Sequence, residues 1–354
     1  MPVVTINTSI CYDVLIEKGC LAQSGALCAQ VFEPKHSRAA IITDDTVASL
    51  YLNKVKASLE QAGFSTASMS FPHGEDSKSH DTLFRVYDFL IENQFTRSDF
   101  IVALGGGVVG DLSGFAAATY LRGIPFVQIP TTFLAAIDSS VGGKTAVNIS
   151  AGKNLIGAFH QPSLVICDPE VFSTLTPEIF ADGCAEMIKY AMLESEDFLQ
   201  LLETCDISQH IEDITARCVE NKRRIVEEDE HDKGIRMVLN YGHTLGHAIE
   251  KVTNHKISHG QGVAMGMDAI TKLGIHLGIC DKNLLSRLDM LLKKYHLPQE
   301  YQGNFGALVE TCLQDKKRAG SKIRLIFVAE AGKPQILPMD VEEFSALIRE
   351  VFPC

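Results

Sequence analysis

Histidine and carboxylate spacing is where this chain first shows its chemistry. In LNYGHTLGHAIE, Leu239 to Glu250, His243 and His247 stand four residues apart, which on a helix puts both on one face. Twelve residues beyond His247 comes His259, in SHGQGVAMGM, where His-Gly opens another apolar, small-residue run of helical character. Five of the 12 histidines fall between His231 and His259, a crowding that asks for a reason. Two histidines at helical spacing with a third nearby suit a divalent metal, and equally a helix whose rings bond water or backbone. A metal needs a further ligand, often a carboxylate from elsewhere in the chain. CAEMIKYAML offers one: Glu186 lies between Ala185 and Met187, three residues before Lys189 on the same helix face. An exposed salt bridge would account for that pair. A carboxylate in so apolar a stretch is instead expected to be partly buried and to need a partner, which makes Glu186 the natural third ligand.

A second group of motifs points to anions. Gly105, Gly107 and Gly110 fit GxGxxG between an apolar strand and a small-residue helix, which would aim backbone N–H groups and a helix N-terminus at a pyrophosphate. The motif comes late in the chain and no acidic residue follows at the usual ~20-residue distance, unlike the common dinucleotide fold. The alternative is a tight turn whose glycines serve packing. DSSVGGKTAVN, Asp138 to Asn148, contains Gly143-Lys144-Thr145, but a Walker A motif would need glycine where Asp138 stands, so an NTPase is excluded. What remains is a glycine-rich loop with Lys144, soon followed by Gly152-Lys153-Asn154, readable as an anion cradle or as solvated loop lysines. Lys222 and Arg236 flank the acidic run EEDEHD, and DKKRAGSK carries Lys316 and Lys317. On their own such charge runs are solvated faces.

The elements that must position these groups alternate in the first half. RAAIITDD reads as a buried strand ending in Asp44 and Asp45, SMSFP as a strand leading into the polar loop HGEDSKS, and DFIVALGGG as a strand entering a helix. Strands alternating with helices at this spacing mean a largely parallel sheet whose ligands collect at the strands' carboxyl ends. Thr176-Pro177 is a helix start, Thr as N-cap and Pro at the first helical position. Helical patterns dominate beyond it, apart from KIRLIFVA near 322–329. The expected architecture is an α/β domain over 1–176 with a mostly parallel, Rossmann-like sheet, and a mainly α-helical metal- and substrate-binding domain over 177–354. At 354 residues the chain has room for both. A net charge of −12 argues against nucleic acid or an anionic membrane as partner. Ten scattered cysteines without a CxxC pair or a secretory signal indicate reduced thiols in the cytoplasm.

The motifs GGGVVGDLSGFAAATYLRG, IPTTFLAAIDSSVGGKTAVN, GKNLIGAFHQP, AEMIKYAML, LNYGHTLGHAIE and HG-x-x-VAMGM stand in an order and spacing that resembles 3-dehydroquinate synthase, one of the sugar phosphate cyclases. The resemblance spans about Asp44 to Lys317; Gln261-Gly262 replace the usual Glu-Ala, and Ala191 the usual glycine. It implies one divalent metal, Zn²⁺ or Co²⁺, on Glu186, His243 and His259. His247, which spacing alone would make a ligand, is implied to lie beside the substrate. NAD is implied to contact Asp44, the loop His73, Gly74, Glu75, Asp76, Ser77 and Lys78, the turn Gly107, Val108, Val109, Gly110 and Asp111, then Thr131, Thr132, Lys144, Lys153 and the segment Val171, Phe172, Ser173 and Thr174. Asn154 with Lys316 or Lys317 would hold a phosphate, Lys222 and Arg236 a carboxylate, and Arg122 would reach a neighbouring subunit's site in a homodimer. Asp138, Lys144, Lys189, Asn240 and His247 would orient hydroxyls and pass protons. The implied substrate is an acidic sugar phosphate, 3-deoxy-D-arabino-heptulosonate 7-phosphate. The implied reaction is oxidation at C5, phosphate elimination, return of the hydride and aldol closure, a lyase with an internal redox cycle. The alternatives are a sister cyclase acting on sedoheptulose 7-phosphate or glucose 6-phosphate, whose substrates have no carboxylate for Lys222 and Arg236, and a metal-dependent polyol dehydrogenase.

Overall fold

The computed structural model describes residues 2–254, 256–316 and 322–352. The chain divides into two compact units, Met1–Leu175 with Ile211–His231, and Thr176–His210 with Asp232–Cys354. The first unit is built on strands β1 (Val3–Asn7), β2 (Cys11–Ile16), β3 (Arg38–Asp44), β4 (Ser65–Phe71), β5 (Phe100–Gly105), β6 (Phe126–Pro130), β7 (Lys144–Ile149), β8 (Gly152–Phe159) and β9 (Leu164–Cys167). Among the described residues seven of these form one sheet in the order β1-β2-β9-β6-β5-β3-β4, and β7 pairs with β8 separately. Only β1 and β2 pair antiparallel within the large sheet; the other neighbours are parallel. β5, β6 and β9 are buried along their whole length, which is why they read as unbroken apolar runs rather than alternations.

Helices α1 (Ser24–Cys28), α2 (Asp45–Val47), α3 (Asn53–Gln61), α4 (His80–Glu92) and α5 (Gly107–Thr119) belong to this unit. Ile42, Phe71, Val86, Leu90, Ile101, Leu112 and Phe126 make one core between sheet, α4 and α5. β3 and β5 are neighbours, Thr43 opposite Leu104, and the chain leaves them in opposite directions, to β4 outside β3 and to β6 outside β5. Such a switch point opens a crevice beyond the carboxyl ends of its strands, here Asp44 and Gly105. The glycines of the α5 turn serve packing as well. A Cβ on Gly105 would lie 2.5 Å from Val109 Cγ2, one on Gly110 2.6 Å from Gln128 Oε1, and one on Gly114 2.5 Å from Thr145 Cγ2.

Two sequence expectations need correction. Lys144, Lys153 and Asn154, expected in loops, lie on the strands of the β7–β8 ribbon, where Lys144 is opposite Phe159 and Ile149 opposite Gly152. The alternation of Thr145, Val147 and Ile149 is the strand signal that the glycines before it obscure. The second domain is also not continuous over 177–354. Helix α6 (Pro177–Glu194) opens the second unit, its N-cap Thr176 accepting from the Ile179 N–H, and α7 (Glu196–Thr204) follows. The next helix, α8 (Ile207–Glu228), leaves helical geometry at His210 (φ −122°, ψ 15°), and from Ile211 it packs with the first unit. Carboxylates hold it there: Glu212 accepts from the Lys18 N–H at 2.9 Å, Glu227 from the Asn7 N–H at 2.6 Å, and Glu230 from the Ser9 N–H at 2.9 Å.

The rest of the second unit comprises α9 (His243–Val252), α10 (His259–His276), α11 (Lys282–Lys294), α12 (Phe305–Lys316), α13 (Val341–Val351) and the antiparallel pair β10 (Lys322–Val328) and β11 (Pro334–Asp340). The fold class expected from the sequence, a mostly parallel α/β sheet followed by a helical region, is borne out. No helix among the described residues is long and apolar enough to cross a membrane.

What positions the histidines is the crossing of α9 and α10, where backbone meets backbone. A Cβ on Gly246 would stand 2.8 Å from the Gly262 carbonyl oxygen, and one on Gly266 2.0 Å from that of Gly242. One on Gly260 would stand 2.3 Å from Asp182 Cα on α6. Gly266→Ala should therefore force α9 off α10 and cost about 1–3 kcal/mol by overpacking. Denaturant unfolding measures this, and an unchanged midpoint with unchanged slope would show that the crossing tolerates a methyl group.

Candidate functional site

In the second unit three electron-pair donors meet. Glu186, in the middle of α6, is fully buried, and its Oε1 lies 3.2 Å from Nε2 of His243 and 3.2 Å from Nε2 of His259. Its other oxygen takes the Lys189 ammonium at 2.5 Å. His243 is the first residue of α9 and His259 the first of α10, so each ring projects from a helix start. The His243 Nδ1 faces the Tyr241 carbonyl at 3.2 Å. A carbonyl only accepts, so Nδ1 is a proton-bearing nitrogen and the ring is oriented with Nε2 toward Glu186. The ligand atoms of Glu186, His243 and His259 all lie within 4.8 Å of one another. Bonds of ~2.0–2.1 Å at tetrahedral angles put donors about 3.3 Å apart, so the 3.2 Å spacings fit a small divalent cation.

Electrostatics support this. Burial by itself would raise the Glu186 pKa, but the Lys189 ammonium, then His243 and His259, outweigh it and hold the carboxyl well below the usual range. Crowding disfavours the His259 cation, yet hydrogen bonds to Glu186 and Glu250 prevail and carry its pKa to about 10. His247 is exposed, its ring 5.3 Å from that of His243 and 5.7 Å from that of His259. Desolvation by the surrounding chain, then the charges of those two rings, lower its pKa, so it is neutral at pH 7. With Glu250 and His259 it forms a second possible donor group. Binding there would draw His259 away from Glu186, leaving a buried carboxylate short of a partner, so the Glu186 group is the better site.

Two of the three residues that depart from the resembled motif, Gln261 and Gly262, have structural roles. Gln261 Oε1 accepts from the Ser258 N–H at 3.2 Å and completes a capping box at the start of α10. Gly262 lets Gly246 approach. Ser258 Oγ also donates to Asp182 on α6 at 2.5 Å, tying α10 to the helix that carries Glu186. Arg236 is buried on the 3₁₀ turn Ile235–Asn240, whose last residue, Asn240, is exposed. Lys316 is the last residue of α12; Lys317 lies outside the described residues.

In the first unit a polar network gathers beyond the switch point. Lys78 Nζ donates to Asp111 on α5 at 2.5 Å and to Asn154 on β8 at 2.6 Å. Asn148 donates to Glu75 at 2.7 Å, and its Oδ1 accepts from the Asn154 N–H at 3.0 Å. The 73–78 loop, the N-terminal part of α5 and the ribbon are thus knitted together. Burial raises the Asp111 pKa, and Lys78 opposes it. Asp44 caps α2 by accepting from the Val47 N–H at 2.8 Å, while Asp45 holds His73 at 2.8 Å. The Thr131 N–H donates to the Gly105 carbonyl at 3.0 Å, and the buried Thr131 hydroxyl has no hydrogen-bond partner among the described residues. Thr132 packs against Gly106, and the Tyr51 hydroxyl binds both the Val171 carbonyl and the Thr174 hydroxyl. Val171 and Phe172 are buried; Ser173 and Thr174 are exposed, as are Lys144 and Lys153.

Lys222 is not a solvated charge. It is buried, donating to the Asp138 carbonyl at 2.7 Å and to its carboxylate at 2.6 Å. Exposed Arg122 follows Leu121 and precedes Gly123 in a turn with three successive positive φ values, 51°, 69° and 118°. Sequence reasoning missed Asp182 and the Glu250 contact to His259, although Glu250 ends the histidine motif itself.

The chain is similar to known proteins over nearly its whole length. The family model described as 3-dehydroquinate synthase N-terminal matches residues 68–182, and that described as 3-dehydroquinate synthase C-terminal matches 183–318. A 3-dehydroquinate synthase of Streptococcus sanguinis (strain SK36) is 44% identical over 346 residues, 96% of this chain and 97% of that protein. Among solved structures, 2-deoxy-scyllo-inosose synthase complexed with carbaglucose-6-phosphate, NAD⁺ and Co²⁺ is 25% identical, with a TM-score of 0.87 over 99% of this chain and 100% of that one. The 2-epi-5-epi-valiolone synthase of Streptomyces hygroscopicus subsp. jinggangensis 5008, with NAD⁺ and Zn²⁺ bound, is 25% identical, with a TM-score of 0.87 over 98% of each chain.

One prediction follows from His259. A metal that takes its Nε2 must displace the proton held there below pH about 10. Calorimetry of Co²⁺ loading at pH 8, in two buffers of different ionisation enthalpy, should show release of about one proton per site, with affinity rising as pH rises. A count near zero would mean that His259 is not the imidazolium described.

Proposed function

The chain belongs to the 3-dehydroquinate synthase family, and from that premise we propose that it converts 3-deoxy-D-arabino-heptulosonate 7-phosphate to 3-dehydroquinate and phosphate. The observation that carries the reading is the convergence of Glu186, His243 and His259, with Lys189 on the same buried carboxylate. That donor set suits Zn²⁺ and Co²⁺ alike. Bound metal would polarise the C5 hydroxyl, and bound NAD would take and return the hydride of that carbon.

The chain's own residues then have these tasks. Arg236 and Lys222 bind the substrate carboxylate, the guanidinium through two parallel hydrogen bonds and the ammonium through one. Asp138 keeps the Lys222 ammonium in place beforehand. Asn154, with Lys316 or Lys317, holds the phosphate. Asp44, the 73–78 loop, Gly107 to Asp111, Thr131, Thr132 and Val171 to Thr174 hold NAD, and Lys144 and Lys153 face NAD and substrate. Asp138, Lys144, Lys189 and Asn240 orient hydroxyls. His247, beside the two ligand rings, passes protons. Once C5 is a ketone the C6 proton is acidic, and the departing phosphate takes it. After the hydride returns, the ring opens and an intramolecular aldol addition closes the carbocycle. No net oxidation remains, and because phosphate leaves by elimination the enzyme is a lyase. We also propose that it works in the cytoplasm as a homodimer, in which Arg122 reaches the neighbouring subunit's site.

The deciding assay is phosphate release from the heptulosonate phosphate with NAD and metal varied. Exhaustive chelation should abolish turnover and Zn²⁺ or Co²⁺ restore it, with no NADH accumulating. A rise in NADH stoichiometric with substrate would make the protein a polyol dehydrogenase. Arg236→Ala should lower kcat/KM roughly 30- to 1,000-fold, the lower part of the cost of truncating a buried charge pair. NAD affinity and metal content should stay nearly unchanged. Sedoheptulose 7-phosphate and glucose 6-phosphate, which lack the carboxylate, should turn over negligibly; comparable turnover would identify a sister cyclase instead.

A further inference from the structure

Glu250 is a buried carboxylate seven residues beyond His243 on α9, so it lies two turns along the same helix face. Its Oε1 is 3.1 Å from Nδ1 of His259, while Nε2 of the same ring is 3.2 Å from Glu186 Oε1. The imidazole is therefore strung between two carboxylates, one at each nitrogen. Gly262 matches this arrangement: a Cβ there would stand 3.2 Å from Glu250 Cγ and 3.0 Å from the Gly246 carbonyl, so a side chain would press on the stem of Glu250.

We propose that Glu250 is a positioning residue for the metal, acting through His259. Accepting the Nδ1 proton, it fixes the tautomer in which Nε2 has a free lone pair, sets the ring plane toward Glu186, and makes Nε2 a stronger donor. It is not itself a ligand. The oxygen nearest the ring is engaged with Nδ1, and a cation taken by His247, Glu250 and His259 would have to use that nitrogen and turn the ring from Glu186. His243 has a neutral counterpart, the Tyr241 carbonyl, so the two rings are oriented by different acceptors. The inference rests on the metal reading above, and its test separates the two.

Metal-free protein is titrated with Co²⁺ in competition with a chromophoric chelator, and the visible cobalt spectrum is recorded at saturation. Thermal melting of the metal-free variants checks the fold. Glu250→Ala should bind Co²⁺ about 10- to 100-fold more weakly than the parent, with cobalt band intensities of the same coordination number. Glu250→Gln, whose amide oxygen can still accept from Nδ1, should stay within about threefold of the parent. Glu250→Asp, which keeps the charge but withdraws it by one methylene, should resemble alanine. If the alanine variant does not fold, the glutamine and aspartate variants still decide the matter. Parental affinity in Glu250→Ala or Glu250→Asp, equal weakness in Glu250→Gln, or cobalt band intensities of a different coordination number in any variant would overturn the proposal while leaving the metal reading intact. Failure of the parent to bind Co²⁺ would overturn both.

Discussion

A carboxylate with no access to water dominates the second unit. Glu186 stays charged at the centre of α6 because Lys189 and two imidazoles stand against it. An isolated ionised carboxylate in such a place would cost far more than a domain's net stability. The neighbours that offset this cost must come close, and closeness is what the sequence around them provides. Gly242, Gly246, Gly262 and Gly266 let two helices touch backbone to backbone, and Gly260 lets the start of α10 rest on Asp182. The residues that make chemistry possible here thus depend on residues that merely stay out of the way.

In the first unit the glycines also do more than one thing. Gly105, Gly110 and Gly114 have no room for a side chain because α5 lies hard against the sheet. The same packing brings the first turn of α5 to the end of β5, beside the neighbouring end of β3. A packing role and a ligand-binding role for this turn are not rivals, since the first creates the geometry on which the second depends.

How much of this is legible from sequence depends on the range of the cause. Histidines four apart, a carboxylate between apolar neighbours, a Thr-Pro helix start and unbroken apolar strands are local signals, and each corresponds to an element or contact described above. The misses have long-range causes. The return of Ile211–His231 to the first unit is fixed by carboxylates accepting from backbone some 200 residues earlier, which no local pattern reveals. Lys222 reads as part of a charged face because Asp138 is 84 residues away. The β7–β8 ribbon is hidden by its own glycines. Glu250 escapes because, at the end of an amphipathic helix, a glutamate ordinarily faces water.

His243 and His259 each begin a helix, and that placement has an effect independent of their rings. The first turn of a helix has N–H groups without intrahelical partners and carries a partial charge of about +0.5. Two such ends border the Glu186 site. They favour the ionised carboxylate and any oxygen on which negative charge grows during reaction. They also disfavour a cation, an effect that the negative charge of Glu186 offsets. A share of the field at this site therefore belongs to the main chain, and a scan that truncates side chains one at a time will leave that share uncounted.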